Sequence, residues 1–295
     1  MNNKIKISKA EMLFRIFNYA FMTVLMIIML YPLWHVLMAS FSDAKQLSSH
    51  TGILLMPDGF SVKAYQLMMK NPMILRGYAN TLFILFFGLA LNMIVTYMGA
   101  YGLSRKNVMW NKAITVFIIF TMYFSGGMIP AYINIKNLGL ENTLWAVILP
   151  VTVNTFNLIV MRTGLASVPE SLEEAARIDG AGHFTVMLRI MLPLTKATTA
   201  VIALYYAVSH WNSWFSAMLY LSDRELFPLQ LILREILIQN DTSIMTMNVE
   251  AGDSSFVSET IKYAVIIVTV LPIICVYPFI QKYFTTGVMI GAVKG

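Results

Sequence analysis

Charged residues divide this chain into blocks. No Asp, Glu, Lys or Arg occurs in 16–42, 77–104, 113–135, 142–161, 197–222 or 263–281. Each block is close to the roughly 20 residues with which an α-helix crosses the apolar core of a bilayer. The pattern predicts an all-α membrane protein with six transmembrane helices in one domain over 15–283. Polar pieces separate the spans: a basic tail at 1–14, long segments at 41–76 and 221–261, a loop at 163–196, and a second tail at 284–295. Pro32, Pro150, Pro272 and Pro278 fall inside spans, where a kink is tolerable. Gly126, Gly127 and Pro130 are expected to break or bend the third span.

The loop at 163–196 is more than a connection. Its stretch 167–193 reads as two short helices with a tight turn. Ser167 and Glu170 fit a capping box, with Pro169 in the first turn. Val168, Leu172, Ala175 and Ala176 share a face, and Glu173→Arg177 has the favourable i,i+4 spacing. Gly180 and Gly182 stand where a helix end wants a left-handed residue. Phe184, Met187, Leu188 and Met191 repeat at i, i+3, i+4, i+7, and Pro193 is expected to stop that helix. Acidic groups beside small residues suit docking into another protein's groove. A helix lying flat on the membrane surface fits the same pattern.

Composition supports the membrane reading: 58% of residues are hydrophobic and 12% are charged. Six spans put both termini on one side. That side collects the basic residues from Lys4 through Arg105, Lys106, Lys112 and Arg162 to Lys294. The other side keeps eight of the 21 Lys and Arg but ten of the 15 acids. The positive-inside rule then makes the termini and the 163–196 loop cytoplasmic, in a multi-pass protein of the cell membrane. The net charge of +6 sits at membrane edges, so it is no sign of nucleic-acid binding.

Absences narrow the chemistry. The spans carry no ionisable carboxylate or ammonium, which counts against proton- or sodium-coupled transport. There is no phosphate-cradling G-x-x-x-x-G-K-[ST], no HExxH and no GxSxG. Cys275 is alone and the four His are scattered, so no catalytic or metal-ligating set is expected. Uphill transport would need an ATPase in trans.

Glu174-Ala175-Ala176, then Asp179-Gly180-Ala181, then Ile190-Met191-Leu192-Pro193, resembles the EAA loop of ABC importer permeases. The ending 291–295 resembles that of MalG-type permeases of the maltose-like carbohydrate importers. FSGGMIP (124–130), LGLENTLWA (138–146), HWNSWF (210–215) and FPLQLILRE (227–235) resemble the LplC/YtcP-like branch of that group. The resemblance implies a type I importer permease whose EAA loop is a coupling helix. It makes Glu173, Glu174, Ala175, Ala176, Asp179 and Gly180 ATPase-coupling residues, with Gly291, Lys294 and Gly295 of the tail. It implies four partners besides the bilayer: a second, homologous permease in a heterodimer, two ATP-binding subunits, and an extracytoplasmic solute-binding protein. No cofactor is expected on this chain; ATP and Mg2+ belong to the partner ATPase. The expected cargo is carbohydrate, an oligosaccharide. An ABC permease for another solute class and a stand-alone channel remain the alternatives.

A substrate path is expected around Tyr206, His210, Trp211, Asn212 and Trp214, with Asn154 and also Asn157 from span four. Sugar sites mix flat aromatic rings with short polar groups. An interfacial aromatic belt would use Trp214 in the same way, and helix–helix hydrogen bonds would use Asn154 and Asn157. The outer loop between spans five and six, 221–261, is expected to engage the binding protein, with the apolar strip Leu229–Ile238 folded against the membrane domain.

Overall fold

The computed structural model describes residues 8–238 and 254–292, and it is helical throughout apart from loops and one isolated bridge between Ser42 and Phe60. Three helices are long and apolar enough to cross a membrane: Lys9–Ser40, Pro72–Ser104 and Phe256–Val276. Three bent pairs qualify as spans when each pair is taken together, which makes up to six. The chain divides into two compact units, 1–71 with 240–270 and 72–239 with 271–295, the second division falling inside the last helix.

In the first unit, α1 (Lys9–Ser40) is capped by Ser8, whose hydroxyl accepts from the Glu11 amide. It exposes apolar side chains along most of its length. The segment after it is ordered around α2 (Ala44–Ser49) and α3 (Lys63–Met69). Asp43 caps α2, its carboxylate accepting from the amides of Lys45 and Gln46. Its own amide donates to the carbonyls of Asp58 and Gly59, closing the loop between. Leu54, Ala64, Leu67 and Met68 are buried here, as are Val257, Ile261, Ala264 and Val265 of α15 (Ser254–Ala292).

The second unit is built on α4 (Pro72–Ser104). It packs against α7 (Leu144–Ile148), α8 (Thr155–Ala166), α12 (Lys196–Trp211) and α14 (Leu229–Ile238). Span three is α5 (Asn111–Tyr123) followed by α6 (Met128–Asn137), bent by 109°. The break falls at the predicted glycines, and Gly127 takes φ +90°, a conformation that side-chain-bearing residues avoid. Span four bends by 49° between Leu144–Val151 and Thr155–Ala166, just after the short 3-10 turn Leu149–Val151 that contains Pro150. α13 (Trp214–Tyr220) continues beyond the end of α12.

Several expectations needed correction. Ser167 caps the end of α8 and its hydroxyl donates to the Gly164 carbonyl, so no capping box forms. Pro169 precedes α9 (Glu170–Ile178) instead of lying in its first turn. Gly182 has φ −73° and opens the next helix; only Gly180 is left-handed. Pro193 does not stop the second helix. α10 (His183–Thr185), a π-helical segment Val186–Met191 and α11 (Leu192–Leu194) run through it, because a proline near a bend loses an N–H that the distorted ladder no longer needs. The chain turns by 87° at Thr195 instead. The π segment also changes the period. Val186, Met187 and Met191 are buried, while Phe184 and Leu188 are exposed. The segment 221–261 is less of a loop than expected, since Leu229–Ile238 is helical and α15 starts at Ser254. Leu229, Leu231, Ile232 and Ile236 are buried, and the Leu229 amide donates to Thr81 of α4, which fits the expected folding of that strip against the membrane domain.

Candidate coupling surface and polar cavity

α9 lies over one end of α4, and a buried carboxylate holds it there. Glu173 is 7% exposed. One of its oxygens accepts from Arg105, just past the end of α4, and the other accepts from Arg177 at 2.7 Å. Arg105 also donates to the Leu165 carbonyl at the end of α8, and its guanidinium lies 5.2 Å from the centre of the Tyr101 ring. Lys106 adds an exposed pair to Glu170 at 3.0 Å. Burial pushes the Glu173 carboxyl towards protonation. Hydrogen bonds and charge from Arg177 and Arg105 outweigh that, and the group is held below the usual carboxylate range. Beneath the clamp, Tyr97, Ala100 and Leu103 meet Leu158, Met161 and Leu165, with Val186, Met187, Met191 and Ile202, in one apolar core.

The turn after α9 has a defined geometry. The Gly180 amide donates to Arg177 and the Ala181 amide to Ala176, the paired bonds of a Schellman ending. Gly180 has φ +85°, with open space where a Cβ would stand. The constraint is therefore backbone conformation, not crowding.

The expected coupling residues separate by direction. Glu174, Ala175, Asp179 and Gly180 are exposed, Ala176 is half-buried, and Glu173 is turned inward. Beside the exposed acids stand apolar side chains: Ile178, absent from the predicted pattern, at 86% exposure, with Phe184 at 67% and Leu172 at 43%, both predicted to lie on apolar faces. A helix that buries a glutamate and exposes an isoleucine has reversed the usual partition. That reversal was the available signal, hidden because Glu173 needs Arg105 from a distant element. Of the tail, Gly291 lies in the last turn of α15, while Lys294 and Gly295 lie outside the described residues. The segment 240–253 also lies outside them.

The polar residues of the spans converge on the break in span four. There the backbone leaves helical bonding, and apolar surroundings make unpaired groups costly. Asn92 of α4 donates to the carbonyls of Val151 and Thr152 at 2.7 and 3.1 Å. With its amide hydrogens used, its oxygen faces His210 Nε2 at 2.8 Å, so that ring nitrogen carries the proton. The Asn154 amide donates to Tyr206 Oη, which also pairs with Thr96 at 2.7 Å. Asn154 Oδ1 caps α8 through the Asn157 amide.

A cavity of about 690 Å3 opens beside this network. Asn154, Asn157, Tyr206 and His210 line it as expected, although Tyr206 and His210 are 3% and 2% exposed and their polar tips are engaged. Tyr205, Ser209 and Phe156 line it too and were not anticipated; Tyr205 and Phe156 are largely exposed. Trp211, Asn212 and Trp214 do not line it. Trp211 is buried against Tyr78, and its indole N–H has no partner among the described residues. Asn212 donates back to Val208. Trp214 is 37% exposed, with the Arg234 guanidinium 5.1 Å from its ring centre. Nearby arginines are paired, Arg76 with Glu225 and Arg224 with Glu235, whereas Arg234 has no carboxylate partner among the described residues. No group of three or more His, Cys, Asp or Glu able to hold a metal occurs among the described residues.

Comparison with known proteins agrees with this architecture. Residues 7–289 match the family described as binding-protein-dependent transport system inner membrane component. The polygalacturonan/rhamnogalacturonan transport system permease protein YtcP of Bacillus subtilis is 38% identical, over 96% of this chain and 99% of its own length. Protein LplC of the same organism is also 38% identical, over 98% of this chain and 97% of its own. A chain from the crystal structure of a bacterial ABC transporter involved in the import of the acidic polysaccharide alginate superimposes with a TM-score of 0.86. It is 31% identical, over 95% of this chain and 100% of the other.

Proposed function

This chain belongs to the family of binding-protein-dependent transport system inner membrane components, and we propose that it forms half of the translocation path of an ATP-driven importer for oligosaccharides. The observation that carries the proposal is the clamped α9. Glu173 joins it through Arg105 to the end of α4 and the Leu165 carbonyl of α8. Its other side presents Glu174, Ala175, Ile178 and Asp179 outward. A partner seated on that surface moves α4 and α8 when it moves α9. Those helices, with α12, carry the network beside the cavity, so closure of an ATPase dimer is transmitted to the path by rigid connection. The second half of the path is a homologous permease, two ATP-binding subunits supply hydrolysis with their own Mg2+, and a binding protein delivers cargo on the opposite face. The termini and α9 face the cytoplasm in this reading, as the distribution of basic residues favours.

Carbohydrate is the cargo class that the cavity suits. Tyr205 and Phe156 offer flat faces for the C–H sides of sugar rings, while Asn154, Asn157 and Ser209 offer hydrogen bonds. Two of the three proteins named above carry polygalacturonan, rhamnogalacturonan or alginate in their names, and Arg234, stacked on Trp214 outside the cavity and without a carboxylate partner among the described residues, is a cation that can meet a sugar carboxylate. The test is uptake of labelled trigalacturonate into proteoliposomes holding the complete importer, with the binding protein outside. Accumulation that needs enclosed ATP supports the proposal. Equilibration without ATP would make the chain a facilitator and overturn it.

A further inference from the structure

A second, larger cavity, about 1190 Å3, lies at the α9 end of the second unit. Its wall is formed by the turn after α4, α5 as far as Phe120, and Arg162 of α8. The chemistry of the wall is divided. Arg105, Lys106, Lys112 and Arg162 line it and no acidic residue does. Arg105 and Lys106 are committed to Glu173 and Glu170. Arg162 spends its Nε on the Leu103 carbonyl at 2.8 Å, which fixes the guanidinium and leaves its two outer nitrogens without partners among the described residues. Lys112 has no ion pair among them either and is exposed.

The rest of the wall is apolar. Val116, Phe117 and Phe120 follow one face of α5 and are 60%, 70% and 51% exposed. α5 rises about 1.5 Å per residue, so Phe120 stands roughly 12 Å along the axis from Lys112. A cationic rim therefore leads into an apolar groove about two turns long. A dissolved anion would use only the rim, and a neutral apolar molecule only the groove. A ligand that uses both has an anionic head and a hydrocarbon chain in fixed order. Trp110, 70% exposed in the same wall just before α5, adds the amphipathic ring favoured at the boundary of headgroups and acyl chains.

We propose that this cavity holds an anionic glycerophospholipid of the cytoplasmic leaflet, its phosphate on Lys112 and Arg162 and an acyl chain along Phe117 and Phe120. The leaflet follows from the orientation proposed above. The lipid sits against Arg105 and Lys106, which also contact α9, and so braces the residues that anchor the coupling helix.

The test is native mass spectrometry of the assembled importer, released from membranes containing phosphatidylglycerol and phosphatidylcholine in equal amounts. Wild type retains phosphatidylglycerol selectively. Each juxtamembrane cation is generally worth about a fivefold change in affinity for an anionic surface, so Lys112→Gln with Arg162→Gln weakens retention about 30-fold. Arg162→Lys keeps most of it, which separates charge from local folding. Lys136→Gln, on α6, leaves retention unchanged. Excess inorganic phosphate does not displace the lipid if the groove contributes. Equal retention by wild type and the double variant, or displacement by phosphate alone, overturns the assignment. A photoreactive residue at Phe117 captures lipid; capture of the second permease instead also overturns it. Labelling of Asn107→Cys by an impermeant thiol reagent, in a Cys275→Ser background, reads the orientation separately. A wrong orientation and a missing lipid site are thereby distinguished.

Discussion

Removing Arg105 should release α9 from the membrane core while leaving its outward surface intact. In Arg105→Gln, Glu173 stays buried, its side chain 9% exposed, with Arg177 as its remaining cation. Breaking a buried pair by deleting one partner costs about 3–5 kcal/mol. Arg177 remains at 2.7 Å, but its side chain is 39% exposed and solvent screens part of its pull. The Leu165 carbonyl also loses its Arg105 donor but keeps backbone N–H donors from Ser167 and Val168. We place the loss at about 3 kcal/mol, enough to populate states in which α9 has left its seat. Glu173→Gln strands Arg105 instead, and the double variant Arg105→Gln, Glu173→Gln removes both charges together. Its loss should fall short of the sum of the single losses by about 1.5 kcal/mol or more.

The assay for this cycle is thermal unfolding of the purified importer, run beside ATP hydrolysis stimulated by liganded binding protein. Both single variants should melt earlier and lose stimulation, and the double variant should recover part of each. Strict additivity would refute the clamp. The pH dependence has a definite sign. Because the Glu173 carboxyl is lowered in the folded state, its contribution is complete above the ordinary carboxylate range and is lost as pH falls through the depressed value. Wild type should therefore keep the clamp at neutral pH and lose it only in acid, and Glu173→Gln should remove that component of the acid limb.

Gly180→Val should cost about 1–2 kcal/mol, since φ +85° is strained for any residue with a Cβ, and co-purification of the ATPase should fall with it; full retention would contradict the turn's role. Gly88→Ala would place a Cβ 2.5 Å from His210 Nε2, so it should disrupt the Asn92–His210 bond and lower the melting temperature, while Ala substitution at half-buried Gly102 of α4, where the space is open, should not destabilise. Arg234→Gln should raise the KM for trigalacturonate about tenfold or more, the worth of one charge-assisted hydrogen bond, and leave its methyl ester unaffected; an equal effect on both would remove Arg234 from carboxylate recognition.

Much of the fold was legible because lipid imposes a simple code. Charge-free blocks of helix-spanning length overlap the three long apolar helices and the three bent pairs, the glycines at 126–127 fall at the break in span three, and Pro150 stands just before the bend in span four. The coupling stretch was legible as a motif but not as an orientation. Glu173 looks like an i,i+4 surface partner of Arg177, and only the folded position of Arg105, 68 residues earlier, turns it inward. The bend at Thr195 was missed because Pro193 is the stronger local signal and the π segment before it leaves no mark in composition. Of the expected path residues, Asn154, Asn157, Tyr206 and His210 line the cavity. Trp211, Asn212 and Trp214 share a helical pattern with Tyr206 and His210, but α12 ends at Trp211. That break rotates Asn212 and Trp214 away from the cavity, and Trp211 packs against Tyr78 instead.

The central claim is that α9 meets a partner on the side carrying Ile178 and meets its own membrane core on the side carrying Glu173. Site-specific photocrosslinking in the assembled importer tests it most directly, with a photoreactive residue placed in turn at 178 and at 173. The account predicts that position 178 captures the ATP-binding subunit and that position 173 yields only products within this chain. Capture of the ATP-binding subunit from 173, with none from 178, would contradict it.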